Sequence, residues 1–323
     1  MAVQAPAQQL VTGFGVRALV KRGYRVRVAV RRPDLAGFLQ PLGTVGQIHA
    51  VQANLRYPAS VTAAVMGADA VVNLVGIMQE NGRQSFTAVQ ANGARAVAQA
   101  CATVGISRLV QISALGADAE SRSVYARTKA EGEAAVRQII PQAVILRPSV
   151  LFGPEDTFFN RFASMARMMP ILPLVGDGQA RLQPAFAGDV AEVVARAVDG
   201  SIAAGRTYEL GGAEVLTLRQ LVEDVWQVSK RLIAPLPLPV AGVLARVLGL
   251  VDTLTLGLLP NELKLTRDQV QLLGQDNVVS AEAVKDGRDF AGLGIAPVSV
   301  EVEVPSYLWR FRRTGQFETA RPA

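Results

Sequence analysis

Three side chains in the middle of the chain have types and spacing that suit proton transfer to a carbonyl group. Tyr125 and Lys129 lie four positions apart in the stretch SVYARTK, a spacing that places both on one face of a helix. A cation beside a phenol favours the phenolate, so the pair predicts a proton donor or acceptor for a carbonyl–alcohol pair. Lys129 is also free to hold a ribose. Ser113, twelve positions before Tyr125, could polarise the same carbonyl oxygen.

The alternative interpretation of these residues is an ordinary surface helix, because a Tyr-x-x-x-Lys spacing often occurs by chance. Their placement favours chemistry. Ser113 directly follows the apolar run LVQI, and the Tyr125–Lys129 pair comes before the next apolar run, AVIL. The sequence therefore predicts a catalytic set at the ends of neighbouring strands.

The elements that would position this set alternate between strand-like and helix-like patterns. Short apolar runs of this kind are typical of strands covered on both faces of a parallel sheet. The predicted strands are 25–30, 70–75, 109–112 and 143–146, and the helical patterns between them are 86–104 and 130–139. This order predicts an α/β fold with a doubly wound parallel sheet, Rossmann-like, over residues 1–152.

The second half of the chain, residues 153–323, has a looser pattern and predicts a smaller, mainly helical part. A helix is expected over 189–198, with Asp189 as its cap, and another over 217–229. Between them, residues 206–212 predict a strand that returns to the sheet and a turn.

The opening stretch QLVTGFGVRALVKRGYRVRVAVRRPD bears on nucleotide binding. Residues 8–12 predict a first strand, residues 16–22 a short helix, and Gly13 and Gly15 the turn between them. A pyrophosphate is bound by backbone N–H groups of such a glycine-rich turn, but a full loop with the helical turns that follow it would need about ten more residues. Either the phosphate site is degenerate, or the sequence lacks a segment after Thr12; both interpretations stay open.

The end of the next predicted strand indicates which dinucleotide would bind. An acidic residue at this position holds the ribose 2′-OH of NAD, whereas arginine accommodates the 2′-phosphate of NADP. The strand ends in Arg31 and Arg32, so the sequence predicts NADP(H). The alternative is a solvated basic turn.

Composition limits the other classes of function. The net charge of +6 favours anionic partners, but Lys and Arg are scattered, and nucleic-acid binding is not expected. Because the chain has a single cysteine, Cys101, and a single histidine, His49, no dedicated zinc site is expected. Cys101 lies in an apolar stretch and is predicted to be a buried small residue.

Residues 232–259 form an unusually apolar stretch with only Arg246 and Asp252 as charges. Pro235, Pro237 and Pro239 argue against a membrane-spanning helix. Two interpretations remain: a buried helical hairpin, or an apolar surface that docks on a membrane or a large partner.

Several motifs together resemble the extended and atypical short-chain dehydrogenase/reductase superfamily. The matching stretches are VVNLVG (71–76), ISALGAD (112–118), YARTK (125–129), ILRPSVLFGPED (145–156) and QPAFAGDVA (183–191). The resemblance implies that Ser113, Tyr125 and Lys129 form the catalytic set. It also implies further nucleotide contacts, which are Asn54 and Leu55 near the adenine, Asn73, Val75 and Gly76 along the nicotinamide, and Pro148 and Ser149 closing over it.

Within that superfamily, nearly the whole chain resembles the nucleotide-binding accessory subunits of respiratory complex I. The run FGPED–FFNRFA and the proline-rich LPLP segment carry this resemblance most specifically. It implies NADPH bound without turnover, partner subunits in the peripheral arm, and membrane contact through 232–259. It further implies a location on the cytoplasmic face of the bacterial plasma membrane. The alternatives are a free-standing NADP-dependent reductase or epimerase and a nucleotide-free scaffold.

Overall fold

The computed structural model describes residues 6–168, 171–175, 177–229, 232–236 and 266–312. The helices are α1 (Pro6–Lys21), α2 (Pro58–Val65), α3 (Asn92–Thr103), α4 (Val124–Ile139), α5 (Phe159–Met168), α6 (Ala187–Asp199), α7 (Leu218–Ser229), α8 (Arg267–Leu273), α9 (Ala281–Lys285) and α10 (Val300–Leu308). The strands are β1 (Val26–Val30), β2 (Ile48–Gln52), β3 (Val71–Asn73), β4 (Leu109–Ile112), β5 (Val144–Pro148), β6 (Leu151–Phe152), β7 (Ile171–Val175), β8 (Arg181–Leu182), β9 (Ala185–Phe186), β10 (Thr207–Leu210), β11 (Leu216–Thr217) and β12 (Leu232–Leu236). A π-helical turn, Thr87–Ala91, leads into α3.

The chain divides into two compact units, each assembled from three segments. The first unit comprises Met1–Pro148, Ala187–Leu210 and Val279–Ala296, and the second comprises the rest. The sequence predicted a single boundary after residue 152. The first crossing lies at Pro148, and two later segments of the chain return to the first unit.

A parallel sheet forms the centre of the first unit. Four strands pair in the order β10–β5–β4–β3, and all their pairings are parallel. Every residue of β4 is buried, as expected of a strand covered on both faces. The predicted doubly wound α/β fold is confirmed, and the strand predicted near residues 206–212 is β10, at the edge of this sheet.

Helices cover the sheet with small and branched apolar side chains. Residues from α2, α3 and α4 share one core with the start of β4, and Ala98, Cys101 and Val136 in this core are fully buried. The prediction that Cys101 is a small buried residue is confirmed, and burial raises the pKa of its thiol to about 11. Helix α6 contacts β3, β4 and β5 and also packs against α1.

The prediction for the opening stretch is wrong in its secondary structure. Residues 8–12 are not a strand, because α1 runs without a break from Pro6 to Lys21 and includes both Gly13 and Gly15. Val16 and Val20, one turn apart, pack with residues of β1 and β2, which pair separately from the four-stranded sheet. Gly23, with φ +84°, ends the helix. The apolar spacing that predicted a short helix therefore extends through the two glycines.

Replacing both glycines in α1 with alanine is expected to raise the free energy of unfolding by about 1–2 kcal/mol in total. A methyl group at Gly13 meets no atom within 4 Å, and one at Gly15 meets only the Leu74 Cδ1 at 4.0 Å. Urea denaturation of the Gly13→Ala/Gly15→Ala variant measures the change. Gly23→Ala is the matched control and should destabilise, because alanine is strained at positive φ. A destabilised double variant would contradict the helical assignment.

The second unit has its own core, centred on Phe152 and Phe159, whose rings meet edge to face at 6.2 Å. Within this unit, the acidic side chain of the FGPED motif forms hydrogen bonds with two separate helices. Asp156 accepts the Asn160 N–H at 3.1 Å in the first turn of α5 and the Tyr307 hydroxyl at 2.5 Å from α10. This unit therefore connects a motif near its start to a helix near the end of the described chain.

Only part of the apolar stretch 232–259 can be compared with the structure. Residues 232–236 form β12, which pairs in parallel with β7 in the second unit. Residues 237–259, on which the choice between a hairpin and a docking surface depends, lie outside the described residues. No helix within the described ranges is both long enough and apolar enough to cross a membrane.

Candidate functional site

The residues predicted to do chemistry meet at the carboxyl ends of β3 and β4 and the start of α4. Ser113 directly follows β4, and its backbone N–H donates to the Leu146 carbonyl oxygen at 2.7 Å. Its hydroxyl group is buried and has no hydrogen-bond partner, the one such side-chain atom among the described residues. An unpartnered buried hydroxyl is costly, which favours a ligand atom as its partner.

Helix α4 presents the other two members of the set from its first two turns. Ser123 begins the helix by accepting the Ala126 N–H at 3.2 Å, which fixes the start of α4. Tyr125 is half-buried, and its ring packs edge to face against Phe86 at 5.8 Å. The Lys129 Nζ lies 5.8 Å from the centre of the Tyr125 ring. The predicted one-face arrangement of Tyr125 and Lys129 is present.

Lys129 is a buried cation held close to the end of β4. Its Nζ donates to the Ile112 carbonyl oxygen at 3.4 Å, next to Ser113, and its side chain is almost fully buried. Burial lowers the pKa of Lys129 to about 8, and the charge of Glu133 opposes that shift. Near neutral pH this lysine can therefore exchange a proton more readily than a surface lysine.

Gly76 lies directly beside the lysine. An added Cβ at Gly76 would lie 3.4 Å from the Lys129 Nζ, so a larger residue there would crowd the ammonium group. Asn73, at the end of β3, accepts the Val75 N–H at 3.1 Å and donates to the Gln111 Oε1 at 2.8 Å. Of the residues predicted to lie along a nicotinamide, Gly76 is thus next to Lys129. Asn73 and Val75 are bonded to each other at the end of β3.

Sequence reasoning missed the buried amide Gln111 and the buried acid Glu133. Gln111 lies within β4 and joins Asn73 to the Ile112 carbonyl oxygen, which its Nε2 reaches at 2.9 Å. A glutamine inside an otherwise apolar strand is the signal that could have revealed it, because a buried amide requires partners. Glu133 follows Lys129 by one helical turn and binds Arg147.

The two arginines predicted to select NADP(H) differ in their surroundings. Arg32 makes two hydrogen bonds to Asp34, of 2.9 and 2.6 Å, which hold the pKa of that carboxyl below its usual value. Both side chains are exposed. Arg31 makes no hydrogen bond or ion pair with any described residue. Only Arg31 therefore retains an unused guanidinium for a phosphate.

The remaining predicted contacts are held by the protein itself. Asn54 accepts the Arg56 N–H at 3.1 Å, and the Leu55 Cδ1 would lie 2.7 Å from a Cβ added at Gly93. In the first unit, Pro148 accepts the Leu115 N–H at 2.9 Å. In the second unit, the Ser149 hydroxyl donates to the Asn277 Oδ1 at 2.6 Å. Nucleotide contact by these four residues stays a prediction.

A nicotinamide dinucleotide fits one half of this arrangement and not the other. The unpartnered Ser113 hydroxyl, the buried Lys129 ammonium and the adjacent Gly76, which has no side chain, suit a nicotinamide and its ribose. The predicted phosphate turn at Gly13 and Gly15 is absent, because both lie inside α1. Backbone N–H groups inside a helix are bonded to carbonyl groups one turn earlier and cannot point at a pyrophosphate.

The sequence profile of the NAD dependent epimerase/dehydratase family matches residues 13–211, about three fifths of the chain. The chain belongs to this family. Its fold agrees: a dTDP-glucose 4,6-dehydratase structure from Streptomyces venezuelae superimposes with a TM-score of 0.68 over 95% of this chain and 94% of that one, at 19% identity. The predicted resemblance to short-chain dehydrogenases and reductases is confirmed.

Two relatives in this family differ in how much of the chain they match. The NADH dehydrogenase [ubiquinone] 1 alpha subcomplex subunit 9 of Arabidopsis thaliana is 32% identical over 310 residues, 93% of this chain and 75% of that protein. A ceramide reductase of Caulobacter vibrioides is 34% identical over 160 residues, 50% of this chain and 49% of that protein. The similarity to the complex I subunit thus extends over both structural units.

Proposed function

We propose that this chain is an accessory, non-redox subunit of respiratory complex I that helps to assemble or stabilise its peripheral arm near the membrane. The observation that carries the proposal is the similarity to the Arabidopsis complex I subunit over 93% of the chain. A shared nucleotide fold alone would account for similarity in the first unit. The similarity also includes the second unit, which contains the apolar stretch 232–259. This favours a shared role in the complex.

The ligand we propose is a reduced nicotinamide nucleotide with a structural role. A ligand that binds only the folded chain stabilises it by mass action, and no turnover is required for this effect. Ser113, Lys129 and Gly76 support binding of the nicotinamide and its ribose. NADP(H) is preferred to NAD(H) on the basis of Arg31, whose guanidinium is unused. Because Gly13 and Gly15 do not form a phosphate turn, no reaction step is assigned to the nucleotide.

The proposed partners are the other complex I subunits of the peripheral arm. The stretch 232–259 would face the membrane surface or a partner at the membrane interface, on the evidence of its sequence alone. The proposed location is the cytoplasmic face of a bacterial plasma membrane, where the chain would be a peripheral subunit. The basic net charge suits such a position near anionic lipid headgroups.

A second candidate function is a free-standing reductase, favoured by the assembled Ser113, Tyr125 and Lys129 and by the ceramide reductase relative. In that function the Ser113 hydroxyl would donate a hydrogen bond to the carbonyl oxygen of a substrate. Tyr125 would supply a proton to the same oxygen, and the buried Lys129 would favour the phenolate that remains. A bound reduced nicotinamide would supply the hydride to the carbonyl carbon. This chemistry depends on the three side chains themselves and does not follow from the fold alone.

Native electrophoresis of gently solubilised membranes, with this chain located by mass spectrometry, separates the two functions. The accessory role predicts that the chain migrates with the large NADH-oxidising complex and leaves it only on harsher solubilisation. Migration solely as a small species would contradict that role. In that case NADPH oxidation with long-chain ketones is measured, and a loss of activity in Tyr125→Phe would establish the reductase.

A further inference from the structure

We propose that Arg147 is a positioning residue for the ligand site, which acts by binding both carboxylate oxygens of Glu133 and thereby leaves Lys129 without an acidic partner. The inference deepens the proposed nucleotide site and rests on it. The experiment that tests it measures the titration of Lys129 and requires neither complex I nor bound nucleotide. A failure of this inference can therefore be told apart from a failure of the proposed function.

Glu133 lies where it could pair with Lys129. It follows Lys129 by four residues in α4, so the two side chains share one face of the helix. Both are buried, with exposed fractions of 1% for Glu133 and 8% for Lys129. An acid and a cation placed in this way would normally pair. Lys129 nevertheless forms no ion pair with any described residue, and its Nζ donates to the Ile112 carbonyl oxygen instead.

Arg147, and not Lys129, binds the Glu133 carboxylate. The Arg147 Nε and Nη2 donate to the two oxygens of Glu133, both at 2.8 Å, in the bidentate arrangement that matches a guanidinium to a carboxylate. These bonds raise the pKa of Arg147 and secure its charge. Arg137, from the next turn of α4, adds only a contact of 3.5 Å. Glu133 therefore has a stronger and better-oriented partner than Lys129.

Arg147 is held by the sheet of the first unit. It lies on β5, next to β4, which Ser113 directly follows, and its Nη1 is 3.7 Å from Glu209 of β10. Glu209 in turn accepts the Ser280 N–H at 2.8 Å. The guanidinium is thus fixed by the sheet and by the returning segments of the first unit. Because it is fixed, it holds the Glu133 carboxylate in place through two hydrogen bonds.

The consequence concerns the charge next to the ligand. Among the described residues, Glu133 acts on the charge of Lys129, the Tyr125 ring lies 5.8 Å from the Lys129 Nζ, and Arg147 is bound to Glu133. While Arg147 neutralises Glu133, the ammonium of Lys129 stays poorly compensated and free to bind a ribose or to exchange a proton near neutral pH. Without Arg147, the buried Glu133 carboxylate would lose its bidentate partner, and its charge one turn away would hold Lys129 in its charged form.

Carbon-13 NMR of protein labelled at lysine tests the inference, since the chain contains five lysines and a Lys129→Arg variant assigns the signal. The Arg147→Gln variant is expected to raise the titration midpoint of Lys129 by about one pH unit or more. Arg137→Gln is the matched control and should leave the midpoint unchanged. The double variant Glu133→Gln/Arg147→Gln should return it close to the native value.

An unchanged midpoint in folded Arg147→Gln would overturn the inference, as would an equal shift in Arg137→Gln. If Arg147→Gln does not fold, Glu133→Gln replaces it, because its amide keeps an oxygen for Arg147 while the charge is lost. The midpoint of Lys129 is then expected to fall, since Arg147 would act on it without compensation. No change in that variant would also overturn the inference.

Discussion

Replacing Glu133 with alanine is expected to lower the free energy of unfolding by about 3–5 kcal/mol. The substitution leaves the mostly buried Arg147 without the two hydrogen bonds of 2.8 Å that satisfy it. A cation left unpaired in the interior costs more than the ion pair contributes, because its desolvation is no longer offset. The contact of 3.7 Å with Glu209 is too long to replace the lost bonds.

Urea denaturation measures this loss, and Glu131→Ala provides its matched control. Glu131 lies on the exposed side of the same helix and forms no ion pair in the described chain, so its replacement should change stability by no more than about 0.5 kcal/mol. Similar losses in both variants would mean that helix propensity, and not the buried pair, dominates the effect.

A second large loss is expected for Tyr307→Phe, by about 2–3 kcal/mol at neutral pH. The Tyr307 hydroxyl donates to the buried Asp156 carboxylate at 2.5 Å. Burial raises the pKa of Asp156, and the bond from Tyr307 opposes that shift. Without the hydroxyl, the ionised acid keeps its desolvation cost but loses a partner, so the second unit is destabilised.

The pH dependence of that loss has a definite sign. A carboxyl whose folded-state pKa is raised favours the folded state while it is protonated, and this contribution disappears as the pH rises through the folded pKa. Tyr307→Phe raises that pKa further, so its cost should be greater at neutral pH than in mild acid. Tyr208→Phe, whose hydroxyl donates to the neutral Ala203 carbonyl at 3.2 Å, should show a smaller loss with little pH dependence. Equal pH profiles would contradict this account.

The parts of the fold that could be predicted depend on local patterns. The run LVQI predicts a strand over 109–112 and β4 has those limits, because a short apolar run bounded by polar residues suits a doubly covered strand. The position of Lys129 beside the end of β4 also follows from chain order, since α4 is the helix that comes directly after this strand.

The parts that could not be predicted depend on pairings between distant residues. Glu133 within AEGEAAV has the pattern of a solvated helix face, and only Arg147, 14 residues later, makes it a buried acid. A charged residue inside the apolar strand VILRP was the available signal, because such a charge needs a partner. Similarly, Gly13-Phe14-Gly15 has the pattern of a turn, but packing of Val16 and Val20 against β1 and β2 favours a helix.

The three-segment composition of each unit has a consequence for synthesis. The chain crosses between the units five times, since segments ending at Pro148, Phe186, Leu210, Val278 and Ala296 alternate between them. Edge strand β10 receives bonds from residues that leave the ribosome about 70 positions later, among them the Ser280 N–H that binds Glu209. Neither unit can therefore be completed until most of the chain has been made. A nascent chain would carry two unfinished cores at once, and a premature stop before residue 280 would leave the first unit without the contacts that close its sheet.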